Sequence, residues 1–182
     1  MDENTQSNTQ TDFDVLMSKL ENKKVRFCLN IPSLVIVLFW ILFMVLPIAK
    51  IMYFHPENVT VLKLVDYEVD NLLLLFYSVL ILLTGAASSL WLLLIKSNKT
   101  KAAVVLSILC GVLAILFSVL LSFRCEDIIL SLEEAAEIRV DGGGAGAVME
   151  IAGYVSAIYN ISFGVIISLI KNGKIKIQNK GE

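Results

Sequence analysis

Residues 140–154 read VDGGGAGAVMEIAGY, and in them Gly142, Gly144 and Ala147 fit the pattern G-x-G-x-x-A. That spacing can cradle a pyrophosphate, because glycines admit close backbone approach and the first N–H groups of a helix point at the anion. A dinucleotide site makes two further demands: a surrounding βαβ unit, and an acidic residue about 20 positions downstream for the ribose. No βαβ pattern flanks the run, and residues 151–170 contain no Asp or Glu. The stretch therefore reads as a pliable hinge that lets backbones approach closely. It does not read as a phosphate loop.

Other chemistry-bearing residues are scattered. His55 is the sole histidine, beside Pro56 and Glu57. One histidine with one carboxylate falls short of the four ligands of structural zinc, so a surface turn is expected there. Glu126, Asp127, Glu133, Glu134 and Glu137 crowd one side of a segment at helical spacing, with Ile128, Ile129, Leu132, Ala135 and Ala136 on the other. Calcium needs six to eight oxygens gathered at one point, and no D-x-[DN]-x-[DN]-G loop is present. Those five carboxylates remain candidates for holding a basic partner, or form a solvated helix face. Cys28, Cys110 and Cys125 fall at three different depths, so no intrachain disulfide is expected. Cys125 has no His or Asn nearby to activate it; it stands as a free thiol or joins two protomers. With no catalytic, metal or cofactor constellation, the expectation is a non-enzymatic protein without cofactor.

The elements that must position these residues are apolar. Of 182 residues, 57% are hydrophobic and 18% charged, against about 45–50% and about 25% in a typical soluble domain. Four charge-free runs stand out, at about 31–49, 72–95, 102–123 and 151–170. Roughly 20 residues at about 1.5 Å rise cross a hydrocarbon core of about 30 Å, so each run reads as a transmembrane helix. Pro32 falls at the entrance of the first run and Pro47 near its exit, where a kink or stop is expected. The first run lies behind 30 polar residues and lacks a small-x-small cleavage site, so it reads as a retained span.

Flanking charge sets the orientation. Lys19, Lys23, Lys24 and Arg26, then Lys96, Lys99 and Lys101, then Lys171, Lys174, Lys176 and Lys180 are 11 of the 15 basic residues. Between them, Lys50, Lys63, Arg124 and Arg139 face eleven acidic residues. Basic flanks stay inside, so both termini are expected to be cytoplasmic, at the plasma membrane, with 50–71 and 124–150 outside. Residues 1–30 divide into a disordered polar start and an amphipathic helix from Thr11, with Phe13, Leu16, Met17 and Leu20 on one face. Lys19, Lys23, Lys24 and Arg26 then meet the inner leaflet, each gaining about 1 kcal/mol beside anionic lipid. Residues 31–170 form the membrane domain and 171–182 a basic tail. In the first outer linker, NVTVLKL alternates like a strand; Asn58-Val59-Thr60 is a glycosylation sequon only in a secretory-pathway protein. The expected fold is an all-α integral membrane protein. It is a four-transmembrane-helix bundle with an N-terminal amphipathic helix and small extracytoplasmic α/β elements.

Lipid supplies no hydrophobic drive between helices, so small and hydroxyl side chains mark their contacts. Gly85, Ser89, Gly111, Gly153, Ala157 and Asn160 are the expected inner seam. Asn160 either hydrogen-bonds across helices or lines a pore. Glu150, at the outer interface, snorkels to water or meets Arg124 or Arg139, and Trp91 and Tyr53 fall near interfaces.

This layout, with MVLPIAKI closing the first span, NVTVLKLVD after it and GGGAGAVMEIAGY leading into the last, resembles the bacterial claudin-like four-span proteins over residues 24–174. The resemblance lies in organisation. Animal claudins carry a tryptophan signature and a cysteine pair in the first outer loop, and residues 51–71 contain neither Trp nor Cys. Paracellular function and functional residues therefore do not transfer. The expected partners are the lipid bilayer and a membrane or extracytoplasmic protein, or a second copy, with no nucleic acid. The expected role is an interaction or assembly component working through acidic outer loops or basic cytoplasmic segments; the alternative is a subunit of a homo-oligomeric channel or pore.

Overall fold

The computed structural model describes residues 15, 18, 23–52, 56–87, 90–91, 94–95 and 99–175. Lys19, Tyr53, His55 and Ser89 lie outside these residues, as does most of the expected amphipathic helix. So do the side chains of Lys23, Lys24, Arg26 and Cys28. The chain is mostly helical. Its elements are α1 (Lys23–Val45), β1 (Pro47–Ile51), β2 (Glu57–Thr60), a 3-10 helix (Val61–Tyr67), α2 (Leu72–Ala86), α3 (Thr100–Ala136), β3 (Val140–Gly142) and α4 (Ala145–Lys171). Thr100–Ala135 and Ala145–Lys171 are long and apolar enough to cross a membrane; Asn30–Val45 and Leu72–Ala86 are shorter apolar helices.

The first apolar run begins and ends earlier than the sequence suggested. α1 starts at Lys23, so Pro32 lies inside the helix rather than at its entrance. Its missing N–H removes one rung of the ladder there. The helix stops at Val45, four residues before the expected end, after Leu46 N–H donates to Leu42 O at 2.8 Å. Pro47 then opens β1, the first position of a strand being one that proline tolerates. β1 is the central strand of a three-stranded antiparallel sheet in the order β2-β1-β3. Ala49 faces Val59 on one side and Gly142 on the other.

The glycine run is pinned, not pliable. Gly142 ends β3, and Gly143 N–H donates to Ile48 O at 2.7 Å. A Cβ on Gly143 would strike the Pro47 carbonyl, so the close backbone approach is real while the hinge is not. Gly144 caps α4.

The expected strand over NVTVLKL splits in two. β2 keeps 57–60, and 61–67 coil into the 3-10 helix. A strand would put Lys63 on the face of Val61 and Val65. A period of three instead turns Val61 and Leu64 inward together, and both are fully buried. Glu68 ends the turn in the left-handed region (φ 56°).

α3 is the largest departure. The expected third span and the acidic segment after it are one helix of 37 residues, about 55 Å long at about 1.5 Å per residue. No glycine or proline occurs between Gly111 and Gly142 to break it. After Thr100 and Ala103 at its start, its buried residues from Ser107 on are Gly111, Ala114, Ser118, Leu121, Cys125, Ile128 and Leu132, at alternating steps of four and three. That heptad spacing keeps one seam facing α4 and, farther out, the sheet. The expected second span, conversely, is interrupted. α2 stops at Ala86, Ala87 turns, and 90–91 and 94–95 are helical again. Leu90 N–H bonds Ala87 O at 2.9 Å, a tight i→i+3 closure. It falls in TGAASS, a run of weak helix formers apart from its alanines.

Candidate functional site

The interruption in α2 is where the buried polar side chains meet. Carbonyls in the last turn of a helix have no partner within it. Two of them, Thr84 O and Gly85 O, accept from neighbouring helices: Thr84 O from Asn160 Nδ2 at 3.1 Å, and Gly85 O from Ser33 Oγ at 2.9 Å. Asn160 is fully buried and engaged at both ends of its amide. Its Nδ2 also donates to Ser156 O at 2.9 Å, and its Oδ1 accepts from Trp91 Nε1 at 2.7 Å. The Thr84 and Ser156 hydroxyls share a 3.0 Å bond. α1, α2 and α4 are thereby tied at one point. Trp91 is only 3% exposed, so it belongs to this knot and not to an interface. A second tie runs from Trp40 Nε1 to Ser78 Oγ at 3.2 Å.

The small residues set how closely the helices approach. A Cβ on Gly153 would collide with the Ser118 hydroxyl and come within 3.2 Å of Ala114 O. One on Gly111 would meet Ile161 Cγ1 at 2.5 Å and Ala157 O at 3.1 Å, and one on Gly85 would meet Ile36 Cδ1 at 2.6 Å. Gly164, which clusters with Gly153 and Ala157 in the sequence but is not in the expected seam, does the same against Ser107 and Ile108. Ala157 is buried in the same seam. On the outer side of α3 and α4, a shallow groove of about 360 Å³ is lined by Ile115, Tyr154, Ala157, Ile158, Ile161 and Ser162. Asn160 is not among these residues; it is buried within the bundle.

At the far end of α3 the carboxylates separate into two kinds. Glu126, Asp127, Glu134 and Glu137 are exposed. Glu133 is half-buried, and its Oε1 accepts from Val140 N–H at 3.1 Å, fastening β3 to the helix. Arg124 donates from Nη2 to Asp70 O at 3.0 Å and approaches Asp127 Oδ2 at 3.8 Å. Arg139 pairs with Asp141 at 3.1 Å. Glu150 meets neither arginine as its hydrogen-bond partner; it accepts from the Tyr154 hydroxyl at 2.9 Å. Exposed ion pairs contribute about 0–1 kcal/mol each, so the sheet and the helix, not these pairs, hold this end in shape. Among the described residues no group of three or more His, Cys, Asp or Glu is arranged to hold a metal ion.

No family model matches the chain, and no curated protein or solved structure is significantly similar to it. The chemistry of these residues is therefore read from their own geometry. The buried knot pairs donors with acceptors and so holds helices together. The charged end presents exposed carboxylates along the outer part of α3.

Cys125, one residue beyond Arg124, is buried and free. Its Sγ lies 2.9 Å from where a Cβ on Gly146 would sit. Burial, with smaller contributions from Glu150 and Glu126, pushes its thiol up to about 12 from an ordinary value near 9. The thiolate is the reactive form, so alkylation of the folded protein at pH 8 should be slowed about a thousandfold relative to an ordinary thiol. The raised value means the folded state keeps its proton where the unfolded state loses it. Its stabilising effect is whole below pH 9 and is lost as pH rises towards 12. Timed iodoacetamide labelling with peptide mass spectrometry checks this; labelling at Cys125 in the folded protein as fast as in the denatured protein would refute it.

Proposed function

We propose that the chain is a non-enzymatic four-span plasma-membrane protein with both termini in the cytoplasm. Its organisation is claudin-like, and its acidic outer end docks an extracytoplasmic or membrane protein. The bilayer reading is supported by an inversion of the usual burial. Leu34, Leu38 and Val45 on α1, Leu72 and Phe76 on α2, Val105 and Val112 on α3, and Ile158 and Ile166 on α4 are all exposed. Ser78, Thr84, Ser107, Ser118, Ser156 and Asn160 are buried among the same helices. Water disfavours an apolar surface that extensive, whereas lipid favours it and leaves polar groups to pair inside. α1 with its N-terminal extension is about 35 Å long, enough to cross; α2 needs the helical residues 90–91 and 94–95 beyond its end to do so. Lys99, Lys101, Lys171 and Lys174 lie at the helix ends opposite the sheet, as the orientation requires.

The observation that carries the docking role is the continuity of α3. The helix leaves the apolar zone unbroken and is braced by β3 through Glu133, so its outer face is rigid. That face carries Glu126, Asp127 and Glu134 around Leu130, which is 61% exposed. Carboxylates surrounding an apolar side chain complement a basic amphipathic segment, with charge steering the approach and the leucine supplying contact area. Extraction of the tagged protein in mild detergent is expected to retain a second protein in fixed ratio. Changing Glu126, Asp127 and Glu134 together to Lys should weaken that association by about tenfold or more, a loss of about 1.4 kcal/mol. Gentle extraction yielding no second protein, or a partner held equally well by the triple variant, would overturn the docking role.

A further inference from the structure

Most exposed side chains at the sheet end are polar, and the 3-10 helix is a departure from that rule. Its three-residue period lines up Leu62 and Val65 on one ridge, and they are 61% and 65% exposed. The ridge behind them, Val61 and Leu64, is fully buried, so the helix cannot rotate to hide the pair. Two hydrogen bonds fix how high the segment stands. Asn71 Nδ2 donates to Val61 O at 3.0 Å, tying the start of the 3-10 helix to the start of α2. Arg124 Nη2 donates to Asp70 O, setting the same loop beside the first charged residue after the apolar stretch of α3. Leu72, directly after the loop, is 73% exposed and begins the apolar outer face of α2. The Asn71–Val61 bond therefore sets the 3-10 helix beside the end of α2 at which this apolar face begins.

We infer that the 3-10 helix is an interfacial anchor whose Leu62–Val65 ridge seats in the outer leaflet, at the boundary between headgroups and acyl chains. This rests on the bilayer reading above. Elements of this kind bury an apolar face about 5–10 Å into the boundary while charged neighbours stay at headgroup level. Lys63 and Asp66 flank the ridge, and Lys63 is already paired with Glu57 at 3.5 Å. No excess of positive charge is left to call for anionic lipid, so zwitterionic lipid suffices. The anchor fixes the tilt of the sheet, because β2 runs directly into the 3-10 helix.

The test places a photo-crosslinking residue at Leu62 or Val65 of the full chain, with Phe76 on the α2 belt and Glu134 on the acidic face as references. The protein is reconstituted into phosphatidylcholine vesicles, illuminated and analysed by mass. Lipid adducts at Leu62 and Val65 are expected within about twofold of the yield at Phe76 and about tenfold above that at Glu134. Lipid adducts at Phe76 with none at Leu62 or Val65 would overturn the anchor and leave the bilayer reading standing. Crosslinks from Leu62 or Val65 to a second protein chain would overturn it in favour of a protein contact. Absence of lipid adducts at Phe76 would overturn the bilayer reading and the anchor with it.

Discussion

Gly153→Val is expected to cost about 3 kcal/mol, the upper part of the range for overpacking a filled interface. The reason is local and severe. Even a single Cβ there collides with the Ser118 hydroxyl, and behind that hydroxyl lie Ser118 Cβ at 3.0 Å and Ala114 O at 3.2 Å. Ser118 can rotate, but its present rotamer donates to Ala114 O at 2.8 Å, and the backbone oxygen cannot give way without moving α3. Helix propensity pulls the other way, since glycine inside a helix is about 1 kcal/mol worse than alanine. An isolated α4 would gain from Gly153→Ala while the bundle loses, which separates packing from propensity. Ser118→Gly should restore part of the loss in the Gly153→Ala background. Gly144→Ala is the control: nothing lies within 4 Å of its Cβ position and its φ of −80° suits alanine, so the weaker N-cap and the stiffer unfolded chain offset each other and stability should change by less than about 1 kcal/mol. Unfolding in detergent micelles by increasing fractions of denaturing surfactant reads all four variants. Equal midpoints for Gly153→Val and the parent chain would mean that α3 and α4 do not approach as described.

The sequence exposed the apolar helices because freedom from charge over some 20 residues is a property of composition, visible without knowing any contact. It also exposed the small residues as a class, since Gly111, Gly153 and Ala157 stand out within long apolar runs. Where helices begin and end was less legible. Phe123 and Arg124 look like a boundary because hydropathy changes there, yet the backbone of α3 responds to propensity and finds nothing in SFRCED to stop it. Hydropathy and helicity are different properties, and α3 is where they diverge. The opposite divergence occurs at Ala87, where hydropathy continues and the helix does not. The glycine run needed a partner to be understood: only the carbonyl of Pro47, almost a hundred residues earlier, explains why position 143 is glycine. Glu133 looked like its acidic neighbours and differs from them only because β3 returns beside it. The Trp91–Asn160 bond joins residues 69 apart, a pairing that no local pattern announces.

Asn160→Ala is expected to destabilise the bundle by about 1–3 kcal/mol, since removing one partner leaves buried groups unsatisfied. Interhelical hydrogen bonds within lipid average about 0.6 kcal/mol, so the bonds alone do not reach the upper figure. The excess comes from the groups left behind: Trp91 Nε1–H, on a residue only 3% exposed, and Thr84 O in the last turn of α2. Trp91→Phe separates these contributions. It removes the orphaned donor while keeping most of the aromatic volume, so in the Asn160→Ala background it should cost less than in the parent chain. The difference, a coupling of about 0.5–2 kcal/mol, measures the Trp91–Asn160 bond. Asn160→Leu in the Trp91→Phe background tests the carbonyl separately. It refills the volume with an apolar side chain and leaves no indole donor unpaired, yet Thr84 O still loses the Asn160 donor, so the double variant should remain less stable than Trp91→Phe alone. Strictly additive effects of Asn160→Ala and Trp91→Phe would show that the two side chains do not bond and that the knot does not hold α2 to α4. A measured coupling would instead identify Asn160 as the group that ties α4 to the last turn of α2, through Thr84 O, and to Trp91 beyond it.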